Sequence, residues 1–212
     1  MARLTPEVHA ARQRLRQFRL ALPSATRSAA ERAILRGLRE LRVFRPGARV
    51  GIYLAIRGEV SLAAGLPAAR GSGARLYAPK ITSRRRRTMV FVPFDPRAGT
   101  ISNAFGIAEP FARTAERQPV ASLDTVIVPL VGFDRRGVRL GMGAGYYDRA
   151  LRRRRDPSRQ WSRPRLIGVA FASQELALID PAPWDVPLDF VVTEREIVRC
   201  RPESLSATTS PT

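Results

Sequence analysis

A chain of 212 residues suits one domain and can bury a substantial core without crosslinks. Cys200 is the only cysteine and His9 the only histidine, which excludes an intrachain disulfide and a His/Cys zinc site. The formal net charge is +19, Lys80 is the single lysine among 37 basic residues, and no apolar run approaches the roughly 20 residues of a membrane span. This reads as a soluble, unexported protein of a reducing cytoplasm. An alanine-rich composition with arginine in place of lysine is what a GC-rich coding sequence produces. It does not explain the excess of positive over negative charge, which points to anionic partners.

Thr5 and Pro6 form a helix-start signal, and Leu4, Val8, Ala11, Leu15, Phe18 and Leu22 then recur at helical spacing. Arg12, Arg16 and Arg19 make a basic row beside that apolar stripe, a solvated face unless something anionic sits on it. Pro23 ends the helix, and SATRSAAERAILRGLREL predicts a second one with Ala30, Ile34 and Leu38 inward. Strands follow at ARVGIYL, RLYAP, TMVFVPF, LDTVIVPL, LIGVAF and DFVVTE, with helices at EVSLAAGLPAAR and YYDRALRRR. Near-continuous apolar strands alternating with helices predict an α/β fold of three layers, its mostly parallel central sheet flanked by helices. Residues 1–201 make one domain, and the small, polar tail 202–212 is expected to be disordered. The runs Arg84 to Arg87 and Arg152 to Arg155 read as exposed loops or helix ends.

In parallel α/β sheets, ligands bind beyond the carboxyl ends of strands, and LDTVIVPL leads to GFDRRGVRLGMGAGYYD at the start of a helix. Gly141, Gly143 and Gly145 at alternate positions let backbone N–H groups approach an anion, with a helix N-terminus behind them. The spacing G-x-G-x-G is neither the dinucleotide nor the P-loop pattern, so the triplet alone balances a tight turn against a phosphate cradle. Its neighbours add phosphate-pairing chemistry at Arg139, cation-holding chemistry at Asp148 and flat aromatic faces at Tyr146 and Tyr147.

VPLVGFDRRGVRLGMGAGYYDRAL resembles the signature of the 5-formyltetrahydrofolate cyclo-ligases, also called 5,10-methenyltetrahydrofolate synthetases. RQRLR at 12–16, IYLAIRGEV, FGIAEP, VAFASQ and WDVPLDFVVTE resemble further family segments in the same order, from about Arg12 to Val198. The resemblance implies a monomeric enzyme that uses ATP and magnesium to convert 5-formyltetrahydrofolate, with or without a polyglutamate tail, to the 5,10-methenyl form with release of ADP and phosphate. A formamide oxygen cannot leave as oxide; phosphorylation turns it into phosphate, after which N10 closes the ring. Such chemistry needs positioning and charge neutralisation more than a protein nucleophile.

By the same resemblance, Arg139, Tyr147 and Asp148 are the catalytic candidates. Arg12, Arg16, Arg139, Gly141, Gly143, Gly145 and Tyr147 would hold ATP, with Arg12 standing where the family has lysine. Leu54, Glu59, Met142, Gly143, Ala144, Gly145 and Tyr146 would hold the folate. Asp148 and Asp185 would hold magnesium, although Asp185 could equally cap its own loop. His9 and Cys200 take structural or surface roles. Two other readings remain: a relative that binds folate or a related formyl compound without turnover, and a basic nucleic-acid-binding protein. No RNA- or DNA-binding motif accompanies the arginine runs.

Overall fold

The computed structural model describes residues 5–102, 108–155 and 163–200. Helix α1 (Pro6–Ala21) starts where Thr5 and Pro6 predict: the Thr5 hydroxyl accepts the Val8 N–H at 3.4 Å, and Pro6 lies at a position whose N–H has no helical partner. Helix α2 (Ser24–Glu40) follows, with Ala30, Ile34 and Leu38 buried as its periodicity predicts. The rotation of α1 differs from expectation. Leu15 and Arg19 are its buried residues, whereas Phe18 is 41% exposed. The basic row therefore turns inward at its end, because backbone carbonyls satisfy the Arg19 guanidinium there.

Strand β1 (Arg49–Gly51) is followed by a 3-10 turn at Ala63–Gly65 and by α3 (Leu66–Gly71). The chain continues through β2 (Arg75–Ser83), β3 (Thr88–Pro93) and the small pair β4 (Thr100–Ser102) and β5 (Ala108–Pro110). Then come β6 (Thr125–Pro129), the short hairpin β7 (Gly132–Phe133) and β8 (Arg139–Leu140), and α4 (Tyr146–Leu151), which tightens into a 3-10 turn at Arg152–Arg155. Strands β9 (Arg165–Val169), β10 (Phe190–Val192) and β11 (Ile197–Arg199) complete the order.

The seven-stranded sheet has the order β11-β10-β9-β6-β1-β2-β3. Its middle, from β2 to β10, is parallel, and β3 and β11 are antiparallel edges. The expected α/β architecture is present, but TMVFVPF is the return strand of a hairpin. Its connection, the Arg84 to Arg87 turn, is far too short for the dozen or so residues that a parallel crossover requires. Alternation sends successive side chains to opposite faces: Ile127, Ile167 and Val192 join one core with α2 and α3, while Val126, Val128, Leu166 and Val191 join a second core with Leu151 of α4. Each fully buried Leu or Ile in these layers contributes about 1.5–3 kcal/mol.

Chain order reverses direction between β1 and β6, so their carboxyl ends frame a crevice. Residues 78–83 of β2 continue past the last β1 pairing, Gly51 with Tyr77, by about 20 Å on that same side. This projecting hairpin is braced from the side. The Lys80 ammonium donates to the Ala112 carbonyl at 2.8 Å, and a Glu109 carboxylate oxygen accepts the Ile81 N–H at 3.3 Å.

Candidate active site

The crevice takes its side chains from α1, the loop after β1, the segment after β8 and the loop before β10. The β7–β8 hairpin is set by Asp134, a nearly inaccessible carboxylate that accepts the N–H groups of Arg136, Val138 and Ile179 and pairs with the Arg136 guanidinium at 2.9 Å. That turn launches Arg139 and Leu140 toward the glycine segment. Gly143 and Gly145 have φ of +95° and +71°, conformations that side chains resist, and Gly145 leads directly into α4. Gly141 lies outside that region, and a Cβ at Gly141 or Gly143 would meet nothing within 4 Å. The loop thus faces open space. α4 has only six residues, which reduces the helix dipole the sequence suggests and leaves loop N–H groups and guanidinium charges as the main positive field.

Arg12 reaches this loop from a distance of 129 residues in sequence, donating from Nε to the Gly141 carbonyl at 2.9 Å. Burial lowers its pKa, and the charge of Asp185 works in the opposite direction. Arg16 is half-buried and has no hydrogen-bond partner among the described residues. Arg139 is buried and donates through one terminal nitrogen to the Val186 carbonyl and through the other to the Asp148 carboxylate. The proposed phosphate ligand and the proposed metal ligand are therefore bonded to each other.

Asp185 accepts the Ala182 N–H at 2.9 Å, so it does cap its own loop, and it also lies within electrostatic reach of Asp148, Arg139 and Arg12. Burial raises the pKa of its carboxyl, the nearby Asp148 charge adds to that, and the two arginines oppose it. A carboxylate disfavoured by burial, with a second carboxylate beside it, suits a hard cation whose remaining ligands are phosphate oxygens and water. Among the described residues no group of three or more His, Cys, Asp and Glu could hold a metal without such help.

On the β1 side, Leu54 packs against the core, and Glu59 is 8% exposed. One Glu59 oxygen accepts the Ile56 N–H at 3.1 Å, closing a turn; the other has no donor among the described residues. Burial raises the Glu59 pKa, and Arg19 and Arg57 work against that rise. Tyr146 and Tyr147 pack on the second core, and the Tyr147 hydroxyl is buried without a partner among the described residues. Its pKa is raised by burial and by the Glu59 charge, which places Tyr147 within reach of Glu59 as well as Arg139. Met142 and Ala144 lie on the open loop, Met142 exposed.

Sequence reasoning passed over four neighbours. Arg19 and Arg27 grip the Glu59 loop, Tyr53 donates from its hydroxyl to the Val60 carbonyl, and Gln174 donates to the Val131 carbonyl at 2.7 Å. Gln174 lies in VAFASQ and had a signal; Arg19 was hidden in a row that looked solvated, and Arg27 stood in α2 with no pattern to mark it. His9 is exposed on α1, and burial pushes the Cys200 thiol up to about 12, so neither offers a nucleophile or base.

Residues 5–194 match the model of the 5-formyltetrahydrofolate cyclo-ligase family. The chain is 29% identical to the 5-formyltetrahydrofolate cyclo-ligase of Haemophilus influenzae over 84% of its own length and 92% of the relative's. It is 30% identical to the Mycolicibacterium smegmatis enzyme of the same name over 90% and 95% of the two chains. In structure it resembles the Aquifex aeolicus 5,10-methenyltetrahydrofolate synthetase, with a TM-score of 0.75, 29% identity and coverage of 95% and 97%. The Mycoplasma pneumoniae 5,10-methenyltetrahydrofolate synthetase aligns with a TM-score of 0.68, 25% identity and coverage of 89% and 99%. The chain belongs to the 5-formyltetrahydrofolate cyclo-ligase family.

Proposed function

We infer that the chain is a 5-formyltetrahydrofolate cyclo-ligase, an ATP-dependent ligase, and that the crevice at the carboxyl ends of β1 and β6 is its active site. The observation that carries the site assignment is the Arg12 hydrogen bond to Gly141. It brings the N-terminal helix onto the glycine loop beside the Arg139, Asp148 and Asp185 cluster.

In this reading the formyl oxygen of the folate attacks the γ-phosphorus of ATP, and ADP leaves. N10 then adds to the formyl carbon, the carbon–oxygen bond breaks, and phosphate departs as N10 gives up its proton. Arg12, Arg16 and the N–H groups of the Gly141 to Gly145 loop hold the triphosphate. Arg139, partly released by Asp148, neutralises charge on the transferred group. Asp148 and Asp185 would hold magnesium, which supplies charge neutralisation on the phosphates. Glu59 accepts hydrogen bonds from the pterin edge through its free oxygen, and Tyr146 and Leu54 offer apolar surface to the ring. Tyr147 presents its unpartnered hydroxyl to the reacting groups.

The test is to mix purified protein with 5-formyltetrahydrofolate, magnesium and ATP and follow the near-ultraviolet absorbance of the methenyl product. ATP-dependent growth of that absorbance is expected. Folate binding without any ATP-dependent product would overturn the reading and identify a binding relative.

A further inference from the structure

Arg19 is charged, 1% exposed and absent from the chemistry above. One terminal nitrogen donates to the Leu130 carbonyl, just past β6, at 3.0 Å, and the other donates to the Arg57 carbonyl, in the loop after β1, at 3.1 Å. These two carbonyls stand on opposite lips of the crevice at the point where strand order reverses, so one guanidinium ties the lips together. Its Nε is buried with no partner among the described residues.

The loop it grips is the one that presents Glu59. Arg57 has φ of +49° and Gly58 of +75°, and a Cβ at Gly58 would lie 3.3 Å from the Arg19 carbonyl oxygen, so this turn packs directly on α1. Arg27 of α2 adds a second grip, donating to the Gly58 carbonyl at 2.8 Å and to the Arg19 carbonyl. A desolvated cation this close to Glu59, and not hydrogen-bonded to it, acts through its field.

We propose that Arg19 is a positioning residue of the folate pocket: it fixes the Glu59 loop against both lips of the crevice and keeps the Glu59 carboxylate ionised as a hydrogen-bond acceptor for the substrate. The proposal rests on the reading that Glu59 receives the folate. The charged and titratable groups facing Glu59 are Arg19 from α1, Arg57 from its own loop, Tyr53 after β1 and Tyr147 from α4. Both tyrosines stay neutral across the acidic and neutral range because burial raises their pKa values. Arg19 and Arg57 are thus the cations that oppose protonation of Glu59.

The experiment compares Arg19→Gln, which keeps amide donors for the two carbonyls but loses the charge, with Arg19→Lys, which keeps the charge. KM for 5-formyltetrahydrofolate and for ATP is measured at pH 6 and pH 8. Removing the cation lets Glu59 take up a proton at higher pH, so Arg19→Gln should raise the folate KM several-fold more at pH 6 than at pH 8, with about tenfold as the ceiling a one-unit displacement can reach. KM for ATP should move by less than about twofold. Arg19→Lys should restore the wild-type pH profile. An equal folate penalty at both pH values, or a lysine variant that follows the glutamine variant, would show a purely structural role and overturn the proposal.

Carboxyl-carbon NMR of Glu59, assigned with Glu59→Gln, gives a second reading that needs no ligand and covers the case in which Arg19→Gln does not fold. In the unmodified protein Glu59 should be ionised at pH 7; a protonated Glu59 at that pH would mean that Arg19 does not hold it ionised. A Glu59→Gln variant with unchanged folate KM would defeat the underlying assignment of Glu59, while the NMR titration judges Arg19 separately.

Discussion

Asp148 and Arg139 restrain each other, so neither is idle before substrates arrive. Asp148 keeps 22% side-chain exposure while Arg139 keeps 4%, which makes the arginine the partner that suffers if the pair is broken. Asp148→Asn retains one acceptor and loses the charge. It should raise the magnesium concentration needed for half-maximal rate and also cost about 1–3 kcal/mol of stability. Magnesium titration and urea unfolding check the two halves. Asp185 behaves in the opposite way. Its folded-state pKa lies above the unfolded value, so its contribution to stability is present at low pH and is lost as pH rises through that raised value. Asp185→Asn should keep the Ala182 cap, unfold at the same or a higher temperature than the parent at pH 7, match it near pH 3, and still need more magnesium. Loss of stability at pH 7 would mean that the cap outweighs the charge. Neither pairing was legible in the sequence: residue types named the chemistry at Asp148, Arg139 and Asp185, but which charge rests on which is decided by packing.

At the scale of elements, the sequence showed where helices begin better than how they are turned. Thr5 and Pro6 located α1, yet an apolar stripe through Phe18 placed Arg19 outside, since hydropathy gives no credit to a guanidinium surrounded by carbonyls. The strands shared between two cores were legible from their continuous apolar runs. The pairs β4–β5 and β7–β8 and the edge strand β11 were not, because two or three residues carry no period. Of the FGIAEP segment, only 108–110 fall within the described residues, as β5, and the tail 202–212 lies outside them. The glycine loop supports a prediction that separates fold from function. Gly141→Ala adds a methyl group into open space at an ordinary φ, so thermal unfolding should be unchanged, while the KM for ATP should rise several-fold if the loop wraps phosphate. Gly143→Ala meets the same open space but a φ of +95°, and should lose about 1–2 kcal/mol as well. An alanine at 141 with unchanged ATP dependence would make the loop a turn and nothing more.

Across the whole molecule the charge is spread unevenly in purpose. Arg84 to Arg87 form the exposed tip of the β2–β3 hairpin, on the side where the crevice opens. The run beginning at Arg152 leads away from the site: Arg154 pairs with Asp189 at 2.7 Å, just before β10, at the amino end of that parallel strand and away from the crevice. The amino ends of β1, β6 and β9 border a cavity of about 560 Å³ lined by Arg42, Arg45, Arg163 and Arg165 with Asp124. Of the two runs, the fold places only the first where it can attract anionic substrates. Replacing Arg84 to Arg87 with glutamine should lower kcat/KM at low ionic strength, more for polyglutamylated than for monoglutamyl folate, and the deficit should fade as salt rises. The same change at Arg152 and Arg153 should leave that salt dependence intact. Stopped-flow rates across an ionic-strength series check both, and equal effects from the two runs would place the steering charge elsewhere.

Lys80 carries one more consequence. As the chain's single lysine, it is the single peptide position at which a lysine-specific protease can cut, and it sits within β2, paired with Val90 and tied to the Ala112 carbonyl. A protease needs an extended, unpaired segment, so cleavage can proceed only when the hairpin beside the crevice opens locally. The rate of this one cut therefore serves as a clock for hairpin opening, free of competing sites. It can be timed with and without nucleotide or folate to learn whether either ligand closes that wall.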